Sequence, residues 1–254
     1  SMTQKPITSF FKSMETTPAC SAGPSLERCT KRALSLFDPY RASLRSWRAR
    51  STDHVVDYIT DDSILASDDK MRRLVSTYQS KVDAVLAFPP CVDLCVAGAR
   101  WWRRKKESNP TFQQDAMNDL KRLQKALDQI GAPYAIVLPS SGSILRQFPT
   151  SFRTSPNEFG GWLDKTEEHP LFPLVVPKQD GYSKKTVVAL GNGMRLPQRK
   201  PVKAHWIQKM LKTGKIKRFS PVMVHRKRRE ARRCPAFGLC RALLNRYGCG
   251  SVQE

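Results

Sequence analysis

The sequence has no uncharged apolar stretch long enough to span a bilayer, and no signal peptide is found ahead of its cysteines. We therefore expect neither a membrane protein nor a secreted one. It contains no internal repeat. Its seven cysteines are an odd number, and in the absence of a signal peptide we expect reduced thiols in a cytosolic or nuclear compartment.

Acidic residues are also scarce, since 22 Asp and Glu stand against 44 Lys and Arg, for a formal net charge of +22. An excess of that size indicates a polyanionic partner, nucleic acid before membrane. The alternative is a basic surface that serves only solubility. With 254 residues and 40% hydrophobic content, the chain can build a sizeable core in one large or two small domains.

Residues 1–30 have few large apolar side chains and are predicted to form a flexible tail. The exception is the spacing Gln-x-x-Ile-x-x-Phe-Phe at its start, which resembles the PIP box, the peptide that docks on the sliding clamp PCNA. The resemblance implies that Ile7, Phe10 and Phe11 fill an apolar pocket of PCNA while Gln4 hydrogen-bonds nearby. The alternative is an N-terminal strand that packs on the folded domain.

Short apolar runs alternate with helical patterns through the middle of the chain. This order predicts a doubly wound, Rossmann-like α/β domain with a mostly parallel sheet over residues 31–195. The clearest helix has a predicted capping box at Thr111 and a C-terminal glycine at Gly131. Residues 139–183 are predicted to be mainly loop. The predicted strands are 33–37, 54–59, 82–87, 134–138 and 186–190, and the predicted helices are 41–50, 71–78 and 111–130.

Residues 196–254 are predicted to form a basic arm and a closing helix that packs back on the α/β domain. Between residues 199 and 233 Glu230 is the only acid, which favours a phosphate-contacting arm over a merely solvated face. The closing helix carries Cys240 and Leu243 on one face and ends at Gly248. The predicted DNA contacts are Arg103, Arg104, Lys105, Lys106, Lys184, Lys185, Lys215, Lys217, Arg218, Arg226, Lys227, Arg228 and Arg229.

The apolar run at 82–87 leads into Phe88-Pro89-Pro90-Cys91. A short run stopped by two prolines predicts a buried strand whose carboxyl end delivers Cys91 into a crevice. The thiol could be a reactive group. It could equally be part of the core, because free cysteine is among the most buried residue types.

This Pro-Pro-Cys turn, followed closely by Ala97-Gly98-Ala99-Arg100-Trp101, resembles the short phage-type and virus-type cytosine-5 DNA methyltransferases. Weaker similarities lie at 34–49, 55–57, 182–190 and 234–248. In that family the cysteine attacks C6 of a flipped-out cytosine, C5 takes a methyl group from S-adenosylmethionine, and a base removes the C5 proton. The resemblance implies a nucleophile, Cys91, and cofactor neighbours at Phe37, Asp38, Asp57 and Pro89. The thiol would need a lowered pKa, which a helix N-terminus or the adjacent Arg100 could provide.

The sequence departs from the family at two points. The cofactor loop Phe-x-Gly-x-Gly falls on residues 37–43, which contain no glycine. The glutamate that hydrogen-bonds the cytosine ring falls on Val137, and losing its acid catalysis should cost about 10²–10⁴-fold in rate. S-adenosylmethionine is thus a doubtful cofactor.

These patterns favour a PCNA-tethered DNA-binding protein whose methyltransferase-like domain is catalytically impaired or inactive. One alternative is an active S-adenosylmethionine-dependent methyltransferase acting at replicating DNA. Another is an inhibitory protein that sequesters PCNA. All three predict a location in the nucleus or at a site of DNA replication, which is a viral factory if the protein is viral.

Zinc binding is a separate possibility that we weigh from the late cysteines. Their spacings lack the Cys-x₂₋₄-Cys pairs of common structural zinc sites, so we expect no metal and assign Cys240 to a helix face. The residues considered as ligands are His225, Cys234, Cys240 and Cys249, and the other histidines, His54, His169 and His205, form no recognisable pattern.

Overall fold

The computed structural model describes residues 30–41, 43–44, 54–149, 151–211, 213–224 and 228–245, and of residues 228 and 229 only the backbone. Several predictions lie outside these residues. They are the clamp peptide, most of the helix at 41–50, the end of the closing helix at Gly248, and the side chains of His225, Arg226, Lys227, Arg228, Arg229 and Cys249.

The central element is a six-stranded sheet in the order β2-β1-β3-β4-β6-β5. Strands β2, β1, β3 and β4 run parallel, while β6 is antiparallel to both β4 and β5. The prediction of an α/β protein with a mainly parallel sheet is thus confirmed. The strands are β1 Lys31–Leu36, β2 His54–Ile59, β3 Ala84–Ala87, β4 Tyr134–Pro139, β5 Phe152–Thr154 and β6 Thr186–Gly191.

Helices and a separate hairpin complete the described residues. The stretch predicted to be loop, 139–183, contains one short helix, strand β5 and several 3₁₀ turns. The helices are α1 Asp68–Tyr78, α2 Trp102–Ser108, α3 Phe112–Ile130, α4 Gly142–Gln147, α5 Pro221–Val224, α6 Arg228–Arg233 and α7 Phe237–Leu244, and the hairpin consists of β7 Ile207–Met210 and β8 Ile216–Phe219.

Helix α3 has the predicted end and starts directly after the predicted N-cap residue, Thr111, but it lacks the predicted capping hydrogen bond. Gly131 adopts φ 82° and its N–H donates to the Leu127 carbonyl, so the C-terminal glycine is confirmed. The capping box is wrong, because the Thr111 side chain caps no helix N–H. Its hydroxyl lies instead 2.9 Å from Asn109 Oδ1 and 3.1 Å from Asp115 Oδ2. Nearby side-chain acceptors thus compete with the backbone for this hydroxyl.

Each face of the sheet is covered by its own apolar cluster. Alternate strand residues such as Leu34 and Val85 pack with α1 and α3 on the first face. Their neighbours, including Leu86, pack with α7 on the second face. Because β3 is buried on both faces, all four of its residues are apolar and buried. Complete burial of a leucine contributes about 1.5–3 kcal/mol, so this alternation fixes which side of each strand faces which helices.

The sheet order reverses between β1 and β3. From β1 the chain moves outward to β2 and then crosses to β3 on the other side of β1. In open α/β sheets, ligands bind outside the carboxyl ends of the strands at such a reversal. The loops that follow β1 and β3 are therefore the first place to look for a site.

Candidate functional site

The loop after β1 is organised by a buried carboxylate. Asp38 is fully buried; its Oδ1 accepts a hydrogen bond of 3.1 Å from the Tyr40 N–H, and its Oδ2 accepts one of 2.7 Å from the Ser43 N–H. The Ser35 and Ser43 hydroxyls, also buried, lie 2.9 Å apart. Asp38, predicted to lie beside the cofactor, thus stabilises the backbone of its own loop.

The same geometry bears on S-adenosylmethionine. Counted from Phe37, the second glycine of the family pattern falls on Arg41, which adopts φ 48°. Arg41 thus has the left-handed backbone that glycine usually adopts, but it carries a large side chain where the family's glycine would leave room for a ligand. The Tyr40 and Ser43 N–H groups, which could bind the carboxylate of a ligand, are engaged by Asp38. These residues do not fit the methionine part of the cofactor.

We expect Asp38→Ala to destabilise the protein by about 2–4 kcal/mol, because two buried N–H groups lose their acceptor. Urea unfolding followed by circular dichroism measures the change. Asp164→Ala is the matched control, since Asp164 is exposed and its loss should cost about 0.5 kcal/mol or less. Equal stability of the two variants would contradict the assignment.

Cys91 follows the Pro-Pro turn at the end of β3, as predicted. The Phe88 N–H donates to the Leu36 carbonyl at 2.9 Å, which ties this turn to the end of β1, and Pro89 is buried beside it. Cys91 is partly buried against the first apolar cluster. Burial raises the pKa of its thiol to about 12, with Cys95 adding to the rise. The thiol is therefore protonated at neutral pH, a poor state for a nucleophile.

The cation that acts on the Cys91 pKa is Lys184. Arg100, predicted for that role, is exposed and places its guanidinium carbon 4.9 Å from the Trp101 ring centroid. Lys184, predicted to contact DNA, is partly buried, and its Nζ donates to the Arg232 carbonyl at 2.8 Å. Burial lowers the pKa of this ammonium, while the neighbouring Cys91 and Cys234 raise it.

Cys234 lies near Lys184 and Asp38, and together with Cys91 these residues form one largely buried polar group. Burial raises the pKa of the Cys234 thiol to about 12, and the Asp38 carboxylate adds to the rise while Lys184 opposes it. The group joins the ends of β1 and β3 to the segments before β6 and α7. Sequence reasoning missed it, because its members are far apart in the chain and no local pattern connects them.

A second buried carboxylate starts α7. Asp180 Oδ2 accepts a hydrogen bond of 2.9 Å from the Gly238 N–H, and Asp180 and the preceding Gln179 adopt φ values of 49° and 54°. Burial raises the pKa of Asp180 to about 7, and the N–H groups of residues 237 and 238 oppose the rise. The carboxyl group anchors the helix that covers the second face of the sheet.

Asp57, which the resemblance places beside the cofactor, lies inside strand β2. Asp57 pairs with Leu34 in the sheet, and its Oδ2 lies 3.1 Å from Arg32 Nε. The acids at the end of β2 are Asp61 and Asp62, which the sequence reasoning did not select. Asp57 is thus placed in an ion pair within the strand.

Val137, at the position of the family's glutamate, lies within β4 opposite Val188 and packs on the second apolar cluster. The strand continues to Pro139, so Ser140 and Ser141 are the first residues after it. The Ser141 Oγ accepts a hydrogen bond from the Ile144 N–H and caps α4. The predicted loop over residues 139–183 includes both serines, but the cap on α4 was not predicted.

A cleft of about 350 Å³ opens beyond the Cys91 turn, between the turn at 92–94, α3 and α4. Two cations, Lys121 and Arg146, and several amide side chains give it a polar lining. The residues around it are Leu94, Gln113, Gln114, Met117, Lys121, Ser143, Arg146 and Gln147.

An exposed apolar and basic surface follows Cys91. Val96 and Trp101 are exposed there, and Arg103 and Arg104 lie on α2 just after them. Lys105 Nζ lies 2.5 Å from Asp93 Oδ1, so its charge is partly neutralised. Of the other predicted DNA contacts with described side chains, the exposed ones are Lys106, Lys185, Lys215, Lys217 and Arg218.

No family model and no curated protein matches the chain. Within the described ranges, no cluster of three or more His, Cys, Asp and Glu residues could hold a metal ion. Cys234 and Cys240 are buried there as free thiols. No helix of the described residues is long and apolar enough to cross a membrane.

Proposed function

We propose that the protein binds DNA while tethered to PCNA, and that its methyltransferase-like, doubly wound α/β domain is catalytically impaired. The observation that carries the impairment is the state of the Cys91 thiol, whose pKa of about 12 keeps it protonated. The Asp38 carboxylate supports the same conclusion, since it engages the backbone donors of the loop where a cofactor would bind.

Charge supports the DNA-binding part. A net charge of +22 attracts a polyanion, and exposed arginines flank apolar side chains in the segment after Cys91. Phosphate neutralisation releases counterions, so affinity for duplex DNA should fall steeply from low to moderate salt. Fluorescence anisotropy at several salt concentrations measures that slope, and a flat response would favour the clamp-sequestering alternative.

The tether rests on the spacing of residues 4–11. Phe10→Ala/Phe11→Ala should weaken binding to immobilised PCNA by about 100-fold or more, because buried aromatic anchors each contribute about 2 kcal/mol or more. Met14→Ala, a change of another apolar side chain in the same tail, is the control and should bind as the parent does. If the double variant still co-purified with PCNA as the parent does, residues 4–11 would not be the PCNA-binding peptide.

Cofactor binding and covalent trapping of DNA distinguish the impaired protein from the active-enzyme alternative. We expect calorimetry to detect no micromolar binding of S-adenosylmethionine, and DNA containing 5-fluorocytosine to form no covalent adduct. A parent protein that binds the cofactor and traps that DNA, while Cys91→Ser traps none, would establish the enzyme and overturn the proposed impairment.

A further inference from the structure

The hairpin of β7 and β8 forms a two-stranded ribbon separate from the six-stranded sheet. Every strand residue is exposed except Phe219, which is half-buried. Gly214 at φ 75° makes the tight turn, and the Leu211 N–H donates to the Lys215 carbonyl at 2.8 Å. Because an isolated two-stranded hairpin is marginally stable in water, this ribbon has the form of an element that a partner covers.

Both ends of the ribbon are fixed to the core. Before β7, the His205 N–H donates to the Gly181 carbonyl at 2.7 Å, and the Val202 N–H to the Asn157 carbonyl at 2.8 Å. After β8, Val222 is completely buried. The ribbon therefore extends from a firm base rather than from a free chain end.

The strand register gives the ribbon two different faces. Residues directly opposite each other share a face, so the pairs Gln208–Arg218 and Met210–Ile216 form one side, which we term the reading face. Met210 and Ile216 are 75% and 69% exposed, and paired side chains have Cβ atoms about 4.5–5.5 Å apart. They form an exposed apolar patch at the tip.

The opposite side, which we term the lysine face, pairs Lys209 with Lys217 and, nearer the base of the ribbon, Ile207 with Phe219. Like charges directly opposite each other destabilise an antiparallel pair. Both lysines are exposed, and Lys217 Nζ lies 5.6 Å from the Phe219 ring centroid. Each lysine lies on a different strand. A phosphate beside each edge of the ribbon would therefore offset the repulsion, so the ribbon is matched in charge to a groove whose two walls carry phosphates.

We propose that the ribbon lies in the major groove of duplex DNA with the reading face toward the base edges. Its strands lie about 4.8 Å apart, and with side chains the ribbon fits a groove about 12 Å wide but not one about 6 Å wide. Arg218 suits guanine O6 and N7, Gln208 suits adenine N6 and N7, and Met210 with Ile216 suits the thymine methyl group. Long lysine side chains reach the phosphates at the groove walls.

This inference rests on the proposed DNA binding and adds sequence selectivity to it. The experiment begins by selecting tight-binding duplexes from a random-sequence pool with the full chain. In the selected duplex, replacing each thymine with uracil removes only the C5 methyl group. We expect the parent to lose about tenfold in affinity and Met210→Ala/Ile216→Ala to show almost no difference between the two duplexes.

Two further variants separate base contacts from phosphate contacts. Gln208→Ala/Arg218→Ala should bind random duplex nearly as the parent does but lose about tenfold or more on the selected duplex. Lys209→Ala/Lys217→Ala should weaken binding to both and reduce the salt slope by about 2. Leu174→Ala removes a leucine that is 91% exposed elsewhere and should change none of these values.

The outcomes separate the inference from the function on which it rests. If DNA binding is steeply salt-dependent but the ribbon variants bind as the parent does, the ribbon does not contact DNA. The proposed function would then stand without this inference. If the protein binds no DNA even at the lowest salt concentration, both the proposed DNA binding and the ribbon inference are wrong. If Met210→Ala/Ile216→Ala instead abolished binding to anionic phosphatidylserine vesicles and left DNA selection intact, the ribbon would be a membrane contact and the inference would be wrong.

Discussion

Iodoacetamide is expected to alkylate Cys91 about a hundredfold more slowly than an unperturbed cysteine at neutral pH. An increase of the thiol pKa from 9.0 to about 12 lowers the thiolate fraction about 10³-fold. The more basic thiolate is intrinsically about 10–30-fold more nucleophilic, so part of the loss is recovered. The two effects together leave a loss of about 30–100-fold. Partial burial slows access further, which brings the expected effect to about a hundredfold.

Timed alkylation followed by peptide mass spectrometry measures this rate in the native and the urea-unfolded protein. The thiol should become reactive only on unfolding. Lys184→Met should slow alkylation of the native protein further, because the ammonium opposes the rise in the Cys91 pKa. Lys185→Met, an exposed neighbour, is the matched control. Labelling of native Cys91 as fast as a free thiol would return it to the role of a nucleophile.

Asp180→Asn is expected to gain stability relative to the parent by up to about 4 kcal/mol as the pH rises from about 4 to about 7. In this window the folded parent holds a proton on Asp180 that the unfolded chain, with a pKa of 3.8, has released. The native state therefore binds more protons, and the parent's free energy of unfolding falls with rising pH through this group. The asparagine cannot titrate, and its side-chain oxygen still accepts from the Gly238 N–H.

The comparison must be made as a difference between the two proteins, because His169 acts in the opposite direction. Burial lowers the pKa of His169 from 6.5 to about 4, so its contribution to stability rises with pH over much of the same range. Its ring stacks on Phe237 at 4.6 Å, also at the start of α7. Glu167 raises and Lys184 lowers the pKa of Asp180.

Urea unfolding at several pH values, with Asp164→Asn as an exposed control, provides the two stability profiles. We expect the Asp180→Asn curve to meet the parent's near pH 4 and to lie above it near pH 7. Parallel curves over the whole range would show that Asp180 ionises normally in the folded protein.

Local patterns predicted five of the six strands of the central sheet, but not β5, helix α2 or the β7–β8 hairpin. Strand β2 has the predicted bounds, and the glycine at the end of α3 has the predicted left-handed backbone. Both follow from hydrophobic periodicity and from the conformational freedom of glycine, which are readable within a few residues. The reversed direction of β6 was not predicted, because an apolar run carries no information on strand direction.

The candidate site was predicted less completely. The position of Cys91 at a strand end follows from the two prolines before it, which stop the apolar run. Its protonated state does not, since that depends on burial and on Lys184, which is distant in sequence. Asp38 likewise reads as a ligand-binding acid until its bonds to Tyr40 and Ser43 are known. Tertiary contacts, not residue type, decide what these groups can do.

The position of α7 also has a consequence for the protein during its synthesis. All four parallel strands are complete by residue 139, but the helix that covers their second face ends at residue 244. At about 5–20 residues per second, the ribosome needs roughly 5–20 s to add the intervening segment. For that time the second face of the sheet lacks the helix that will cover it, and the growing chain can bind a chaperone or aggregate with other nascent chains.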